Sequence, residues 1–317
     1  MSFKTRKVAV IGTGHVGSHC ALALATQGVC DELVLIDADR PKALARAADL
    51  LDAAAYLPHH LEVKAGRMED CADADLAVVC AGPAPGFRGA RADSLAAAVG
   101  LARRIAAELA ASGFGGIVVN LSDPCDVVTH CLQERTGFLP RRVVGGWAAL
   151  DAARLRRVLA QELRVDQKSV HAYAMGEQGE SQMVPWSNVN VGGRPLLELM
   201  NSYPDSYGTI DLCQVAETAR RGGRQARESR GSVGFGVGAA LCEIARCVFH
   251  NEHRVLPVSA LLEGQYGQSG VYAGVPAVLG CEGVEAVVEL PLTADERAEF
   301  AASCEATRGF YTETLAL

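Results

Sequence analysis

Lys7-Val8-Ala9-Val10-Ile11-Gly12-Thr13-Gly14-His15-Val16-Gly17 is the stretch that decides the fold. Residues 7–11 form a short apolar, β-branched run, and the apolar spacing over residues 15–27 is helical, so the glycines fall at a strand-to-helix turn. Gly12, Gly14 and Gly17 have the G-x-G-x-x-G spacing that permits a tight turn and lets backbone approach a pyrophosphate. The N-terminus of the helix stabilises that charge. A second strand, residues 32–37, ends in Asp37, whose carboxylate is placed to accept from an adenosine ribose diol and to repel the extra phosphate of NADP. A lone glycine motif is weak, but strand, glycines, helix, strand and acid in register point to dinucleotide binding, with NAD(H) preferred over NADP(H). Arg40 tempers the preference, because a nearby arginine favours a phosphate.

Working outward, residues 41–56 read as a helix, 76–81 as a strand, 93–112 as a long helix and 116–121 as another strand. This alternation predicts a parallel sheet covered on both faces. Later segments are less regular. Residues 150–162, 211–219 and 233–250 read as helices, 170–175 as a strand, 271–279 with 284–290 as a hairpin, and 294–307 as a closing helix. The expected fold is α/β: an N-terminal Rossmann sheet in residues 1–143, then a C-terminal mixed α+β domain, residues 144–317, that completes the substrate site and supports oligomerisation.

Composition narrows the function. The 317 residues are 49% hydrophobic and 21% charged, enough apolar content for a large core. A formal net charge of -7 gives no electrostatic reason to expect nucleic acid or an anionic membrane. Eleven cysteines contain no C-x-x-C pair and no short metal-ligand spacing, so buried free thiols in a reducing cytoplasm are expected, with no metal. Residues 1–7 lack an apolar signal core, and no apolar run reaches transmembrane length. Arg220, Arg221, Arg224, Arg227 and Arg230 make a local basic run, expected to be a solvated helix end or loop, with a contact to another subunit or an anionic effector as the alternative.

Several segments together resemble the L-lactate and L-malate dehydrogenase family: residues 32–37 (ELVLID), Asp49-Leu50 with residues 53–58, residues 144–156 (VGGWAALDAARLR), residues 255–259 (VLPVS), then Gly264, Tyr266, Gly267, Gly274 and Pro276. The likeness covers nearly the whole chain and is more specific for fold than for activity. It implies NAD(H) bound by Gly12, Gly14, His15, Val16, Gly17, Asp37, Ala81, Gly82 and Asp123, and assembly as a homodimer or homotetramer. It also implies that Arg154 anchors a substrate carboxylate through a bidentate fork and that Arg91, at the end of a mobile lid, polarises the bond being reduced. Asp151 matches the carboxylate that orients the family's catalytic histidine. His171 with Arg156 matches a pair that binds a sugar bisphosphate between subunits in bacterial lactate dehydrogenases, although packing or solvation is the commoner reason for such residues.

The site departs from the family pattern. Gly176-Glu177-Gln178-Gly179-Glu180-Ser181 stands where that pattern reads Gly-Glu-His-Gly-Asp-Ser, and a carboxamide cannot shuttle a proton as an imidazole does. Within the lid, Pro85 occupies the substrate-selecting position and offers no donor, while Phe87 and Arg88 replace a Pro-Gly pair. Asp123 replaces an asparagine beside nicotinamide, and Val233 replaces a threonine, removing a hydroxyl. These changes make the site more negative. A protonated imine brings its own proton and gains from such a field, so the expectation is NADH-dependent reduction of a carboxylate-bearing C=N bond, possibly cyclic. The alternatives are a 2-keto acid dehydrogenase whose proton comes from water, Glu177 or Glu180, and a non-catalytic NAD-binding scaffold or sensor.

Overall fold

The computed structural model describes residues 5–82, 91–230 and 233–315, with the side chains of residues 91–93, 223–230 and 315 outside the description. The N-terminal half runs β1 (Lys7–Ile11), α1 (His15–Thr26), β2 (Glu32–Ile36), α2 (Arg40–Ala54), β3 (Glu62–Ala65), β4 (Leu76–Val79), α3 (Arg91–Ala111), β5 (Ile117–Asn120), α4 (Cys125–Thr136) and β6 (Val143–Gly145). All six strands are parallel, in the spatial order β3-β2-β1-β4-β5-β6. The strand sequences are apolar on both sides because both faces are covered. Val8, Val10, Leu33, Leu35, Leu76 and Val78 enter one core. Ala9, Ile11, Val34, Ile36, Ala77 and Val79 enter the other, against α3 and α4.

The second half continues with α5 (Trp147–Leu163), β7 (Val170–His171), β8 (Asn190–Val191), β9 (Arg194–Pro195), α6 (Leu196–Ser202), α7 (Pro204–Tyr207), α8 (Leu212–Arg230), α9 (Phe235–His250), β10 (Arg254–Glu263), β11 (Ser269–Gly280), β12 (Gly283–Val287) and α10 (Ala294–Leu315). The expected α/β architecture, a Rossmann half followed by a mixed half, is present. The expected hairpin is the antiparallel β11–β12 pair. One difference concerns the sheet, which does not stop at β6: Ser259 of β10 pairs with Gly145, and β10, β11 and β12 extend it to nine strands. Residues 170–175 hold less strand than expected. Only Val170 and His171 form β7, while Met175 and Gly176 make isolated bridges to Met183 and Gly274 that fold the chain back as a loop. A small core of α5 and α8 residues, including Leu155, Leu159, Val215 and Ala219, seats that loop's flank. Another core, including Met175, Met183, Val275 and Phe300, ties it to α10. Among the described residues no helix is long and apolar enough to cross a membrane.

Candidate active site

The parallel strands deliver their following residues to one edge of the sheet, where a doubly wound fold binds ligands. Gly12 follows β1 at φ +94, and a Cβ there would lie 2.8 Å from the Ala81 backbone. A Cβ on Gly17 would come 1.8 Å from the Gly12 carbonyl oxygen, so these two positions must be glycine. Gly14, at the N-cap of α1, meets nothing within 4 Å and leaves the helix N-terminus open. This cradle fits a dinucleotide pyrophosphate. His15 is exposed and packs on His19 with ring centroids 4.3 Å apart, Val16 and Val233 pack against the main core, and Ala81 and Gly82 follow β4.

Asp37 sits just beyond β2. Its Oδ2 accepts from the Thr13 N–H at 2.8 Å, the Thr13 hydroxyl at 2.9 Å and the Lys42 ammonium at 2.9 Å, and its Oδ1 accepts from the Asp39 N–H. Burial opposes ionisation of Asp37, but Lys42 and the N–H groups of Asp39 and Thr13 outweigh it and hold the carboxyl below its usual range. The Arg40 guanidinium is engaged by the Gly66 carbonyl. Lys42 was not foreseen as Asp37's cation; its place in the first turn of α2 is its only sequence signal.

Across the edge, β5 ends at Asn120, and Asp123 follows as an exposed residue joined to Pro124 by a cis peptide. Asn120 is fully buried and fixes this turn. Its amide donates to the Cys125 carbonyl and Thr129 hydroxyl, and its Oδ1 accepts from the Ser122 N–H. The turn leads into Asp126, buried at the start of α4. Asp126 Oδ2 accepts from the Gln178 backbone N–H at 2.8 Å, and Oδ1 accepts from the Ser259 hydroxyl at 2.5 Å. Burial pushes the Asp126 carboxyl up to about 7; the charges of Glu177 and Asp151 push the same way, and the two donors oppose them.

Helix α5 supplies Asp151 and Arg154, three residues apart and therefore on one face. Asp151 is buried, and Arg154 Nη1 donates to its Oδ1 at 2.6 Å. The Gln182 carboxamide donates to Oδ2 at 3.2 Å. The Arg154 side chain is only 13% exposed, so the pair is shielded from solvent and coupled more strongly than a surface ion pair. In the 176–182 loop the Gln178 side-chain Oε1 is buried without a hydrogen-bond partner among the described residues. Glu177 is tied down locally: its backbone N–H donates to Ser303, and its carboxylate accepts from the Ser181 hydroxyl.

The structure thus pairs Asp151 with Arg154, and ties the Gln178 backbone through Asp126 to the turn that bears Asp123. Arg91 opens α3, but its side chain, together with Pro85, Phe87 and Arg88, lies outside the described residues. Sequence reasoning overlooked Asp126, Gln182 and Arg220. Arg220 does not follow the expectation of a solvated basic run: its guanidinium donates to the carbonyls of Gln182 at 3.0 Å and Glu180 at 3.5 Å, because α8 packs against α5 beside that loop.

Residues 6–145 match the lactate/malate dehydrogenase NAD binding domain, and residues 148–308 match the lactate/malate dehydrogenase alpha/beta C-terminal domain. The chain is 40% identical over 310 residues to L-lactate dehydrogenase 3 of Bacillus cereus, covering 98% of each protein. It is 37% identical over 301 residues to an L-lactate dehydrogenase of Fusobacterium nucleatum, covering 95% of this chain and 94% of the relative. Among solved structures, a lactate dehydrogenase from a Medee basin deep-sea metagenome library superposes with a TM-score of 0.94 at 35% identity over 98% of this chain and 99% of the other. The ligand-bound minor L-lactate dehydrogenase of Enterococcus mundtii also gives 0.94 at 35% identity, over 97% and 98% of the two chains. These relatives correct the expectation of C=N reduction. Along essentially their whole length they are dehydrogenases of lactate, a 2-hydroxy acid, and an inference from local charge does not outweigh a likeness of that extent.

Proposed function

The chain belongs to the lactate/malate dehydrogenase family, and from that premise we propose that it interconverts a 2-keto acid and its 2-hydroxy acid, with Gln178 standing where the family's histidine is expected. It is an NAD-dependent oxidoreductase with a Rossmann NAD-binding half. The bound nicotinamide supplies or accepts the hydride. The remaining tasks fall to the protein: hold the carboxylate, orient the reacting carbon and manage one proton.

The observation that carries this reading is the shielded Asp151–Arg154 pair. Asp151 takes one N–H of Arg154 Nη1, and the planar guanidinium retains donors for a carboxylate fork. A small carboxylate-bearing substrate is the partner this arrangement suits. Pro85, at the position the family uses to select side chains, offers no donor, which favours a keto acid with an uncharged side chain.

Gln178 cannot relay a proton, but its buried Oε1 is an acceptor in need of a donor. Leaving such a group unsatisfied costs roughly 1–3 kcal/mol. The hydroxyl of a 2-hydroxy acid fits that need, and so does a water molecule. During reduction, water gives its proton to the carbonyl oxygen as that oxygen gains charge, and the resulting hydroxide leaves to solvent. Glu177, already bonded to Ser181, is less suited to the task.

Self-association is part of the same reading. Leu22, Leu44, Leu51, Tyr56 and Phe235 are exposed large apolar residues on or beside α1, α2 and the start of α9, elements that adjoin one another. A cleft of about 330 Å³ between α1 and α2, lined by Leu22, Arg46, Asp49 and Leu50, lies on this side. A second copy covering it suits a homodimer or homotetramer. All eleven cysteines are free thiols, which supports a reducing compartment such as the cytoplasm.

Steady-state NADH oxidation with a panel of uncharged 2-keto acids tests the proposal. Turnover is expected, slower by about 10²- to 10⁴-fold than with a positioned acid. A protein that binds NADH tightly yet reduces no 2-keto acid and oxidises no 2-hydroxy acid would overturn it.

A further inference from the structure

Asp151 is held from both sides. Arg154 Nη1 occupies Oδ1 at 2.6 Å, and the Gln182 carboxamide occupies Oδ2 at 3.2 Å. Gln182 is itself anchored, because Arg220 on α8 donates to its carbonyl at 3.0 Å and to that of Glu180 at 3.5 Å. Arg220 is steadied in turn by Glu217 one turn earlier, at 3.3 Å. The resulting chain of contacts runs from α8 through the loop backbone to Gln182, then to Asp151 and Arg154 on α5. It reaches the guanidinium without passing through Gln178.

We infer that Gln182 is a positioning residue for substrate binding: anchored by Arg220, it fixes the Asp151 carboxylate and thereby the donor edge that Arg154 presents to the substrate carboxylate. The inference rests on the reading of Arg154 as the carboxylate's binder. Its physical basis is geometric. A carboxylate gripped at one oxygen can swing about that contact, whereas one gripped at both oxygens has a fixed plane. The plane of Asp151 sets that of its Arg154 partner, and a bidentate fork depends on that orientation. A neutral amide suits the role because it leaves the full charge of Asp151 opposite Arg154, whereas a charged donor would compete with the arginine for it.

The test uses the NADH complex of the full-length protein and oxamate, a non-reducible carboxylate, with binding followed by calorimetry alongside steady-state kinetics. Replacing Gln182→Leu is expected to weaken oxamate by about tenfold and raise KM for a keto acid by the same factor, the scale of one hydrogen bond to a charged group. The kcat is expected to stay within about threefold, and NADH affinity to be unchanged. Gln182→Glu places a carboxyl against Asp151, so its oxamate affinity should fall with rising pH more steeply than that of the wild type. Arg220→Met, which loosens Gln182 without touching its amide, should move oxamate in the same direction by about threefold.

A merely structural role predicts a lower Tm and lower kcat in all three variants, with no selective change in KM and no pH trend for Gln182→Glu; that result overturns the proposal. So does unchanged oxamate affinity in Gln182→Leu, or a wild-type protein that binds no oxamate. Should Gln182→Leu fail to fold, the Gln182→Glu pH trend and the Arg220→Met shift decide by the same criteria. If the wild type binds oxamate but reduces no keto acid, the catalytic reading fails while the ratio of variant to wild-type affinity still judges Gln182.

Discussion

The two ends of the site solve their problems by different means. At the dinucleotide end, shape is enforced by backbone: Gly12 and Gly17 touch neighbouring main chain so closely that no side chain fits, and the acid Asp37 is already satisfied by Thr13, Lys42 and Asp39. At the proposed substrate end, one backbone constraint stands at Gly176, at φ +87 with a Cβ that would lie 2.2 Å from Ser303 Oγ, but most of the arrangement is set by side-chain donors. Buried carboxyls at Asp126 and Asp151 depend on donors from α5, β10 and the 176–182 loop, and one acceptor, Gln178 Oε1, has no partner among the described residues. A site made of steric constraints tolerates little change. One made of balanced charges can be retuned by a single residue.

The comparison is tested most severely at Arg154. Arg154→Leu removes the proposed bidentate contact to the substrate and should lower kcat/KM for a keto acid by about 10³-fold, with NADH affinity unchanged by titration. An equal loss of NADH affinity would show that the two ends are not separable. Next in size, Gln178→His introduces an imidazole on the 176–182 loop, at the position proposed for the family's histidine. Keto-acid reduction should rise by about 10²-fold and acquire a bell-shaped profile from about pH 5.5 to 9, measured by kcat/KM. A flat profile and an unchanged rate would mean that proton supply does not limit this enzyme.

A third prediction concerns stability. Asp126 has a carboxyl raised from 3.8 to about 7 in the folded protein, so its protonated form is the one that favours folding. That contribution is complete below pH 3.8 and is lost as pH rises through 7. Between pH 5.5 and 7.5 the wild type should lose about 2 kcal/mol relative to Asp126→Asn, measured by urea unfolding at the two pH values. Comparing the two proteins cancels His130, whose imidazole burial pushes below its usual range and which therefore works in the opposite sense. Parallel pH dependences would remove Asp126 from the account. The smallest expected effect is at the other end, where Asp37→Ala should narrow the preference for NADH over NADPH by about tenfold, because Lys42 is then free to meet the extra phosphate. Calorimetric titration that finds the ratio unmoved would place cofactor choice elsewhere.

The same division explains what was legible beforehand. Glycine spacing, β-branched runs and an acid at a strand end are local signals, so β1, α1, β2 and the cofactor cradle could be read directly. Strands β3 and β6 are only four and three residues long and carry too little periodicity to read. Nothing local announced that Asp126 would bond to residues 52 and 133 positions away. Arg220 was hidden among similar arginines, and its role depends on α8 packing beside a loop some 40 residues earlier. The imine reading failed for a related reason. Counting charges from sequence left Asp151 as an uncompensated negative charge, whereas Arg154 pairs with it at 2.6 Å and the Gln182 carboxamide donates to its other oxygen.

Ser259 occupies a place where structure and chemistry cannot be separated. Its backbone joins β10 to Gly145, making nine strands one sheet, while its hydroxyl bonds to the Asp126 carboxyl that also receives the Gln178 N–H. The seam between the two halves is therefore also bonded to the 176–182 loop through Asp126. The two halves cannot drift apart as independent lobes without tearing the contact that seats the 176–182 loop. In a lineage descended from this chain, the two halves must be inherited together.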